Sequence, residues 1–255
     1  QSEASIYFGG PILTMEDARP RAQAVAVRGG KILAVGTKDE ALAAAGPKAR
    51  RVDLQGRTML PGFVDAHGHV SFVGLQAMGA NLLSAPDGEG NSIADLQRIA
   101  RQWLAANKAF VDRYGVLIGF GYDDSQLREQ RHPTRADLDA VSTDIPILFI
   151  HQSGHLGAAN SKGLAAAGVT AQTPDPEGGV FRREAGGRQP NGVMEETAFM
   201  VVMGKMLARL DLEASLAMIG AGVKLYSRFG YTTCQDGKSN VMGVKALQLA
   251  AAKGL

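Results

Sequence analysis

The pattern of apolar residues changes at Pro61-Gly62, and this change constrains the fold more than any other feature of the chain. Before it, short apolar runs follow one another, and the two runs around Gly29-Gly30 predict a β-hairpin because glycine readily adopts positive φ. After it, apolar strand-like runs alternate with amphipathic helices, which is typical of a mostly parallel sheet covered by helices. The sequence therefore predicts a small β-rich domain over residues 1–61 and an α/β domain over residues 62–255.

The second domain is predicted to contain four strands, several helices and one long insertion. Residues 168–192 are rich in glycine, proline and charge, which indicates a surface excursion. Ser92 with Asp95 three residues later resembles a capping box and marks one helix start. The predicted strands cover residues 63–66, 116–120, 146–150 and 231–234.

Each of these four strands runs directly into a polar cluster. In a (β/α)8 barrel, catalytic groups collect at the carboxyl ends of the strands. Four of the five histidines lie in such clusters, whereas His132 precedes Pro133 in a predicted loop. The pattern predicts one functional edge, made of His67-Gly68-His69, Tyr122-Asp123-Asp124, residues 151–155 and Gln235-Asp236.

The pair His67 and His69 is the strongest candidate for a metal site. Side chains two positions apart on a strand point to the same face, so the two imidazoles converge. Neutral imidazole is a good ligand for zinc and similar divalent ions. Asp65 lies on the same side as His67, where a carboxylate supports the ligands from behind. A chance His-x-His in a chain with five histidines is common, so the surrounding string carries the argument.

That string, Leu60-Pro61-Gly62-Phe63-Val64-Asp65-Ala66-His67-Gly68-His69, resembles the first-strand signature of the amidohydrolase superfamily. Further segments resemble the YtcJ-like branch (amidohydrolase family 3), in the family's order. They are a Pro-Thr-Arg-x-x-Leu-Asp segment, a Gly-His segment that continues into Asn-Ser, a Gly-x-Leu-x-Glu segment in which Met194 stands for Leu, and a Gly-hydrophobic-Thr-Thr strand. These occupy residues 133–139, 154–164, 192–196 and 230–233.

The resemblance implies an α/β fold: the first half of a metal-dependent (β/α)8 TIM-like barrel, preceded by a small β-sandwich-type domain. It implies that His67 and His69 bind the metal and that Asp65 supports them. His155 and Glu196 are the candidate substrate-binding residues. The family places a residue of the Glu196 motif at the active site, in contact with metal or substrate, and adjacent Glu195 leaves the choice between the two acids open. The remaining metal ligands and the general-base aspartate of the family have no counterpart here, and we expect them outside this sequence.

The expected function is that of a metal-dependent hydrolase that cleaves a C–N, amide-type bond through a metal-activated water. The expected cofactor is a divalent metal, zinc, with one or two ions. Two alternatives stay open. One is a non-catalytic barrel half that binds a partner chain or a ligand, and the other is a C–O (ester or lactone) hydrolase on the same scaffold.

Composition limits the partners. Lys and Arg number 27 against 25 Asp and Glu, and no basic run is present, so we expect no nucleic acid. No apolar run suits a bilayer, so we expect no membrane. A small-molecule substrate, a C-terminal fragment or second chain completing the barrel, and a homo-oligomer are the expected partners. The start at Gln1 fits a cleaved export signal or a trimmed tag, which leaves periplasmic, secreted and cytoplasmic locations open.

Overall fold

The computed structural model describes residues 3–255, which form two compact units. The first extends to Val64 and also takes Gly230–Thr233, while the second comprises Asp65–Phe229 and Cys234–Leu255. The boundary lies three residues beyond the predicted one. The return of residues 230–233 to the first unit was not expected, because nothing in the sequence around them indicates their pairing partner.

The first unit is built on a four-stranded sheet with the order β3-β2-β1-β4. Strands β1 and β2 pair antiparallel, as do β2 and β3, whereas β4 runs parallel to β1. The predicted hairpin at Gly29-Gly30 is present. Within the described part of this unit we find one such layer and not the two layers of the expected sandwich. The elements are β1 (Ser5–Leu13), β2 (Arg21–Arg28), β3 (Lys31–Gly36), α1 (Lys38–Ala45) and β4 (Arg50–Asp53).

Helix α1 covers the sheet, and its first turn is well capped. The Thr37 hydroxyl accepts a hydrogen bond from the Glu40 amide, and the Glu40 carboxylate accepts one from the Thr37 amide. This capping box satisfies two amides that would otherwise lack partners. Buried Ala41 then packs with Ile6 and Ala24 of the sheet.

Two short strands form a separate parallel pair in the same unit. They are β5 (Phe63–Val64) and β12 (Tyr231–Thr233), with Tyr231 in register with Phe63. The edge of the Phe63 ring meets the Tyr231 ring, with centroids 5.8 Å apart. The chain passes from β5 directly to the predicted metal site.

The second unit contains a six-stranded sheet with the order β10-β11-β9-β8-β7-β6. Its strands are β6 (Ala80–Asn81), β7 (Leu117–Tyr122), β8 (Ile147–His151), β9 (Leu156–Ala159), β10 (Gly179–Arg183) and β11 (Pro190–Glu196). Its helices are α2 (Val70–Met78), α3 (Ile93–Ala106), α4 (Lys108–Tyr114), α5 (Arg135–Asp139), α6 (Ser161–Ala166), α7 (Thr197–Leu207), α8 (Leu212–Arg228) and α9 (Val241–Ala252).

The directions of these strands differ from the expectation of one mostly parallel sheet. Strands β6, β7 and β8 are parallel neighbours, but the pairings of β8 with β9, β9 with β11 and β11 with β10 are antiparallel. The prediction that all four strand ends belong to one sheet is wrong, because β7 and β8 lie in the six-stranded sheet and β5 and β12 do not. The described residues do not close an eight-stranded barrel.

The segment interpreted as a surface excursion, residues 168–192, contains strand β10 and the start of β11. The side chains of Phe181 and Met194 are buried in the core, so this hairpin is an integral part of the sheet. Its glycines and prolines mark the turns at either end of two short strands.

Alternation along β7 and β8 gives the sheet a core on each face. Ile118 and Leu148 pack on one face with helix α7, whereas Leu117 and Ile147 pack on the other with helix α3. Neighbouring strand residues point to opposite faces, and both faces are covered, so the strands are apolar throughout. Among the described residues, no helix combines the length and apolar character needed to cross a bilayer.

Helices α2 and α8 pack closely because glycine faces glycine at their contact. A Cβ on Gly74 would lie 1.8 Å from the Met218 carbonyl oxygen, and one on Gly222 would lie 2.2 Å from the Val70 carbonyl oxygen. The far end of α2 is held by the indole of Trp103, which donates a hydrogen bond to the Met78 carbonyl at 3.0 Å. Helix α2, which the sequence did not predict, is therefore fixed along its length.

Candidate functional site

The predicted metal ligands His67 and His69 lie side by side immediately after β5. Their rings meet edge to face with centroids 5.6 Å apart. His67 is exposed and His69 is half-buried. His69 is also the N-cap residue of α2, so the packing of α2 fixes its backbone. Within residues 3–255, neither imidazole forms a side-chain hydrogen bond, which leaves the ring nitrogens available to a ligand.

Gly68, between the two histidines, allows a carboxylate to approach the backbone. A Cβ at this position would lie 2.0 Å from Asp65 Oδ2 and 2.3 Å from the Tyr226 hydroxyl. Asp65 accepts hydrogen bonds from the amides of His67 and Gln235, both at 3.2 Å, and from the Tyr226 hydroxyl. Burial and this last hydrogen bond raise the pKa of Tyr226, so the phenol stays protonated as a donor.

A second acidic residue, Asp236, holds the opposite side of the pair. Residues His69 and Asp236 form an isolated antiparallel bridge. The Asp236 carboxylate accepts hydrogen bonds from the Ser71 and Ser239 hydroxyls, at 2.9 and 2.8 Å. The loop that carries both histidines is therefore tied to the segment after β12 by backbone and side-chain bonds.

These observations allow a test of whether the residues fit a metal ion. The donor set is two adjacent imidazoles without other hydrogen bonds, and the backbone between them closes around Asp65 in a cradle that a Cβ would fill. Since a zinc–nitrogen bond is about 2.1 Å long, two rings at this separation can share one ion. The pair therefore fits the divalent metal expected from the sequence.

A second group of ionisable residues lies at the carboxyl ends of β7 and β8. Tyr122 is in register with His151, and Asp123 and Asp124 follow directly. The nitrogen His151 Nε2 lies 3.3 Å from Asp124 Oδ1 and 3.6 Å from Asp123 Oδ1. The sequence predicted these residues as polar groups at strand ends. Their proximity follows from the parallel register of two strands 29 residues apart, which no local pattern reveals.

Asp123 is held tightly in this group. Its Oδ1 accepts hydrogen bonds from the Ser125 amide and hydroxyl, at 2.9 and 2.7 Å. Its Oδ2 accepts bonds from the side chains of Gln126 and Gln152. Burial alone raises the pKa of Asp123, but the Ser125 bonds, the nearby His151 and the Gln126 bond together lower it, so the carboxylate is ionised at neutral pH.

His132, which the sequence placed in a loop without a role, is also buried here. Its Nδ1 lies 3.3 Å from the Tyr122 hydroxyl and 3.5 Å from Asp124 Oδ1. Burial lowers the pKa of His132, and burial likewise raises the pKa of Tyr122, so both side chains are neutral. No sequence signal pointed to this contact, because His132 lies between Arg131 and Pro133 with no periodic pattern around it.

The two predicted substrate-binding residues, His155 and Glu196, are in direct contact. His155 Nδ1 lies 2.8 Å from Glu196 Oε2, and the Glu196 amide donates to the His155 carbonyl at 2.8 Å. Both side chains are more than half exposed, at 59% and 58%. Glu196 has φ 48° and ψ −120°, a strained backbone for a residue with a side chain. Adjacent Glu195 instead pairs with Arg182, which separates the roles of two acids that the sequence left ambiguous.

Comparison with known proteins identifies the family of this chain. Residues 50–254 match the profile of a family described as "Amidohydrolase family". The N-substituted formamide deformylase of Arthrobacter pascens is 30% identical over 251 residues, which is 95% of this chain and 44% of that protein. YtcJ of Bacillus subtilis (strain 168) is 32% identical over 195 residues, 76% of this chain and 35% of that protein.

A solved structure has the same fold. A metal-dependent hydrolase of Pyrococcus horikoshii OT3 superposes with a TM-score of 0.70 at 21% identity, over 99% of this chain and 46% of that one. The chain spans less than half the length of the two curated relatives above. Since the family profile covers most of the chain and the YtcJ relative aligns over three quarters of it, this chain belongs to the amidohydrolase family and is a YtcJ-like member of it.

Proposed function

We propose that this chain is the metal-binding part of a hydrolase that cleaves a C–N bond of the amide type in a small molecule. The observation that carries the proposal is the pair of unpartnered imidazoles of His67 and His69 on the Gly68 cradle. Membership of the amidohydrolase family supports hydrolysis. The name of the Arthrobacter pascens relative, an N-substituted formamide deformylase, supports a C–N bond as the target.

His67 and His69 would hold a divalent ion, zinc, as one ion or as part of a pair of ions. When bound, such an ion polarises the carbonyl under attack and lowers the pKa of water. Asp65 acts as a positioning residue. Its two carboxylate oxygens accept hydrogen bonds from the backbone amides of His67 and Gln235, so it fixes the backbone that orients the His67 imidazole. Its oxygens are already engaged, which supports a role behind the ligands.

His155 and Glu196 would contact the substrate. Both are exposed, and the Glu196 carboxylate at 2.8 Å fixes the orientation of the His155 ring. His155 Nε2 then faces outward as a polar group that can donate to or accept from a substrate amide, depending on its tautomer. The strained backbone at Glu196 supports this role, because such strain concentrates at functional sites.

The rest of the catalytic centre would come from residues outside this sequence. Strands β5 and β12 are parallel neighbours, and neighbouring strands of a (β/α)8 barrel are parallel. We propose that further strands, from the same protein or from a second chain, complete the barrel and the small β-domain. They would also supply the general-base aspartate and the other metal ligands.

Metal analysis of the complete gene product tests the proposal. We would measure bound metal by mass spectrometry in the wild-type protein and in His67→Asn/His69→Asn, and assay both on N-substituted formamides and on lactones. We expect the double variant to lose at least one metal per protein and all hydrolysis. Asp112→Asn, at an exposed acid on α4, is the matched control and should change neither.

Two results would contradict the proposal. Unchanged metal content in the double variant would remove the histidine pair from the metal site. Turnover of lactones with no turnover of any amide would keep the metal site but replace the C–N bond with a C–O bond.

A further inference from the structure

The cluster of Asp123, Asp124 and His151 contains a buried nitrogen without a partner. His151 is only 8% exposed, and its Nε2 has no hydrogen-bond partner among the described residues. Asp124 Oδ1 lies 3.3 Å away, yet the two atoms form no hydrogen bond. Buried polar atoms are almost always satisfied, so this exception points to an ion or a water bound at that nitrogen.

The spacing of the surrounding atoms fits one metal ion. One ligand atom from each of the three residues lies within 4.8 Å of the other two. Zinc binds nitrogen and carboxylate oxygen at about 2.0–2.2 Å, so neighbouring ligands of one ion lie about 3–3.5 Å apart. The distances of 3.3 and 3.6 Å from His151 Nε2 to the two carboxylates agree with that spacing.

The hydrogen bonds around the cluster are compatible with an ion. His151 Nδ1 lies 2.9 Å from the Ser153 hydroxyl and accepts a hydrogen bond from the Ser153 amide at 3.1 Å. A metal on Nε2 requires the proton on Nδ1, so the imidazole would exchange the amide bond for a donation to the Ser153 hydroxyl. Asp124 accepts no hydrogen bond from another described residue. Asp123 Oδ1 has two bonds from Ser125, of which the hydroxyl bond can be exchanged for a metal.

We infer that Asp123, Asp124 and His151 bind one divalent transition-metal ion, of the Zn²⁺ or Mn²⁺ class, in a site built from residues other than the His67–His69 pair. Two carboxylates and one imidazole suit such an ion better than the all-oxygen preference of Ca²⁺ or Mg²⁺. Three protein ligands leave at least one coordination position open, as in sites that bind a water or a small ligand. The ion would also link the ends of β7 and β8.

The alternative occupant of the gap is a proton. With Nδ1 accepting the Ser153 amide at 3.1 Å, a proton on Nε2 would point toward the carboxylates and form an ion pair without any metal. The two arrangements differ in metal content, in metal affinity and in the effect of removing one carboxylate charge.

The test uses the complete gene product, stripped with a chelator and titrated with Zn²⁺ and with Mn²⁺ alone. Wild type, Asp124→Asn, His151→Ala and Asp112→Asn are compared, each with and without His67→Asn/His69→Asn. We expect Asp124→Asn and His151→Ala to bind one metal fewer in both backgrounds, with more than about 100-fold weaker binding at that site. Asp112→Asn should bind as much as its parent, and Ser125→Ala, which removes a hydrogen bond behind the ligand Asp123, should weaken binding about 10- to 100-fold.

Each variant is tested with and without His67→Asn/His69→Asn, and this keeps the test of the second metal site separate from the test of the proposed function. Loss of one metal in Asp124→Asn with an intact His67–His69 pair supports the site whether or not the pair binds metal. Equal stoichiometry in Asp124→Asn and wild type overturns it and favours the ion pair. Asp124→Asn keeps the shape of the side chain, so it remains informative if His151→Ala does not fold. A Zn²⁺-induced rise in melting temperature that persists in Asp124→Asn/His67→Asn/His69→Asn would also count against the site.

Discussion

Two histidine-containing groups of the second unit, the His67–His69 pair and the group around His151, differ in the contacts that hold them in place. His67 and His69 are accessible and make no side-chain hydrogen bonds, and their positions depend on Asp65, Gly68 and the packing of α2. The group around His151 and Asp123 is buried at the end of a packed sheet and rich in hydrogen bonds. An exposed group can change with little effect on folding, whereas a buried and bonded one cannot. The comparison separates the residues that we propose to bind a ligand alone from those that also contribute to stability.

The largest effect is expected at the exposed pair. His67→Ala should lower kcat/KM by at least about 1,000-fold, because a metal ligand contributes to the transition state throughout the reaction. Its effect on the free energy of unfolding of the metal-free protein should stay within about 0.5 kcal/mol, as for other surface changes. Steady-state kinetics and urea unfolding of the apo-protein check both parts. Strong destabilisation of the apo-protein by His67→Ala would contradict the view that the exposed pair, unlike the buried group around His151, contributes little to folding.

The next largest effect is expected where the glycines of helices α2 and α8 are in contact. Gly74→Ala should destabilise the protein by about 3 kcal/mol, since its Cβ would lie 1.8 Å from the Met218 carbonyl and the helices must separate. Gly220→Ala on the same helix α8 is the control, because a Cβ there meets nothing within 4 Å. Replacing an unconstrained helical glycine should stabilise by about 0.5–1 kcal/mol. Thermal unfolding of the two variants should therefore give opposite signs.

A smaller effect is expected in the loop that leads from the buried group to α5. Asp137 caps that helix by accepting from the Thr134 amide and hydroxyl, and it pairs with Arg131. Asp137→Asn should cost about 1–2 kcal/mol near neutral pH. Urea unfolding at pH 7 should show this loss of stability. Equal stability of wild type and Asp137→Asn would show that the bonds from Asp137 to Thr134 and Arg131 do not stabilise the fold.

The loss at Asp137 should depend on pH. Burial alone raises the pKa of Asp137, but the bonds from Arg131 and Thr134 outweigh it and lower the pKa. A depressed pKa in the folded state means that the stabilisation is complete above the unfolded value of about 3.9 and is lost as pH falls through the folded value. The difference between wild type and Asp137→Asn should shrink below about pH 4.

The smallest effect on stability is expected at Glu196. Here the substitution should stabilise the protein, in contrast to the destabilising changes expected at Gly74 and Asp137. Glu196→Gly should stabilise by about 1 kcal/mol, because glycine tolerates φ 48° and ψ −120° whereas the exposed ion pair with His155 contributes little. The same change should raise KM by removing the carboxylate that orients His155. Glu196→Gln keeps the side-chain length and the strain, so it should leave the melting temperature near that of wild type. A Glu196→Gly variant with unchanged KM would remove this pair from the substrate site.

The proximity of His67 and His69 could be predicted from the sequence because its evidence is local. Two positions on one strand end suffice to bring His67 and His69 together, and the surrounding string identified the family. The strands β7 and β8, the hairpin at Gly29-Gly30 and the N-cap at Ser92 were also predictable, because runs of apolar residues, paired glycines and capping residues each have a direct physical reading.

The partition of the strands into sheets could not be predicted. Strands β5 and β12 have two and three residues, which is too short for any alternation to show, and their partners are far apart in the chain. Strand β9 is made of small residues and follows β8 after a four-residue turn, so its antiparallel direction has no signal beyond Gly154. Helix α2 could not be predicted because it is apolar on most sides and therefore lacks the alternation of polar and apolar faces that marks an amphipathic helix. The contacts within the buried group could not be predicted either. His151 approaches Asp124 through the register of β7 and β8, and His132 reaches it from the loop after β7.

The order of the six-stranded sheet has a consequence for how the protein behaves at high concentration. Its outer strands are β6, which has only two residues, and β10, which carries Arg182 and Arg183. These arginines pair with Glu195 and Asp175. A short edge and a charged edge are poor templates for a strand from another molecule. This sheet is therefore protected against edge-to-edge aggregation at both of its ends.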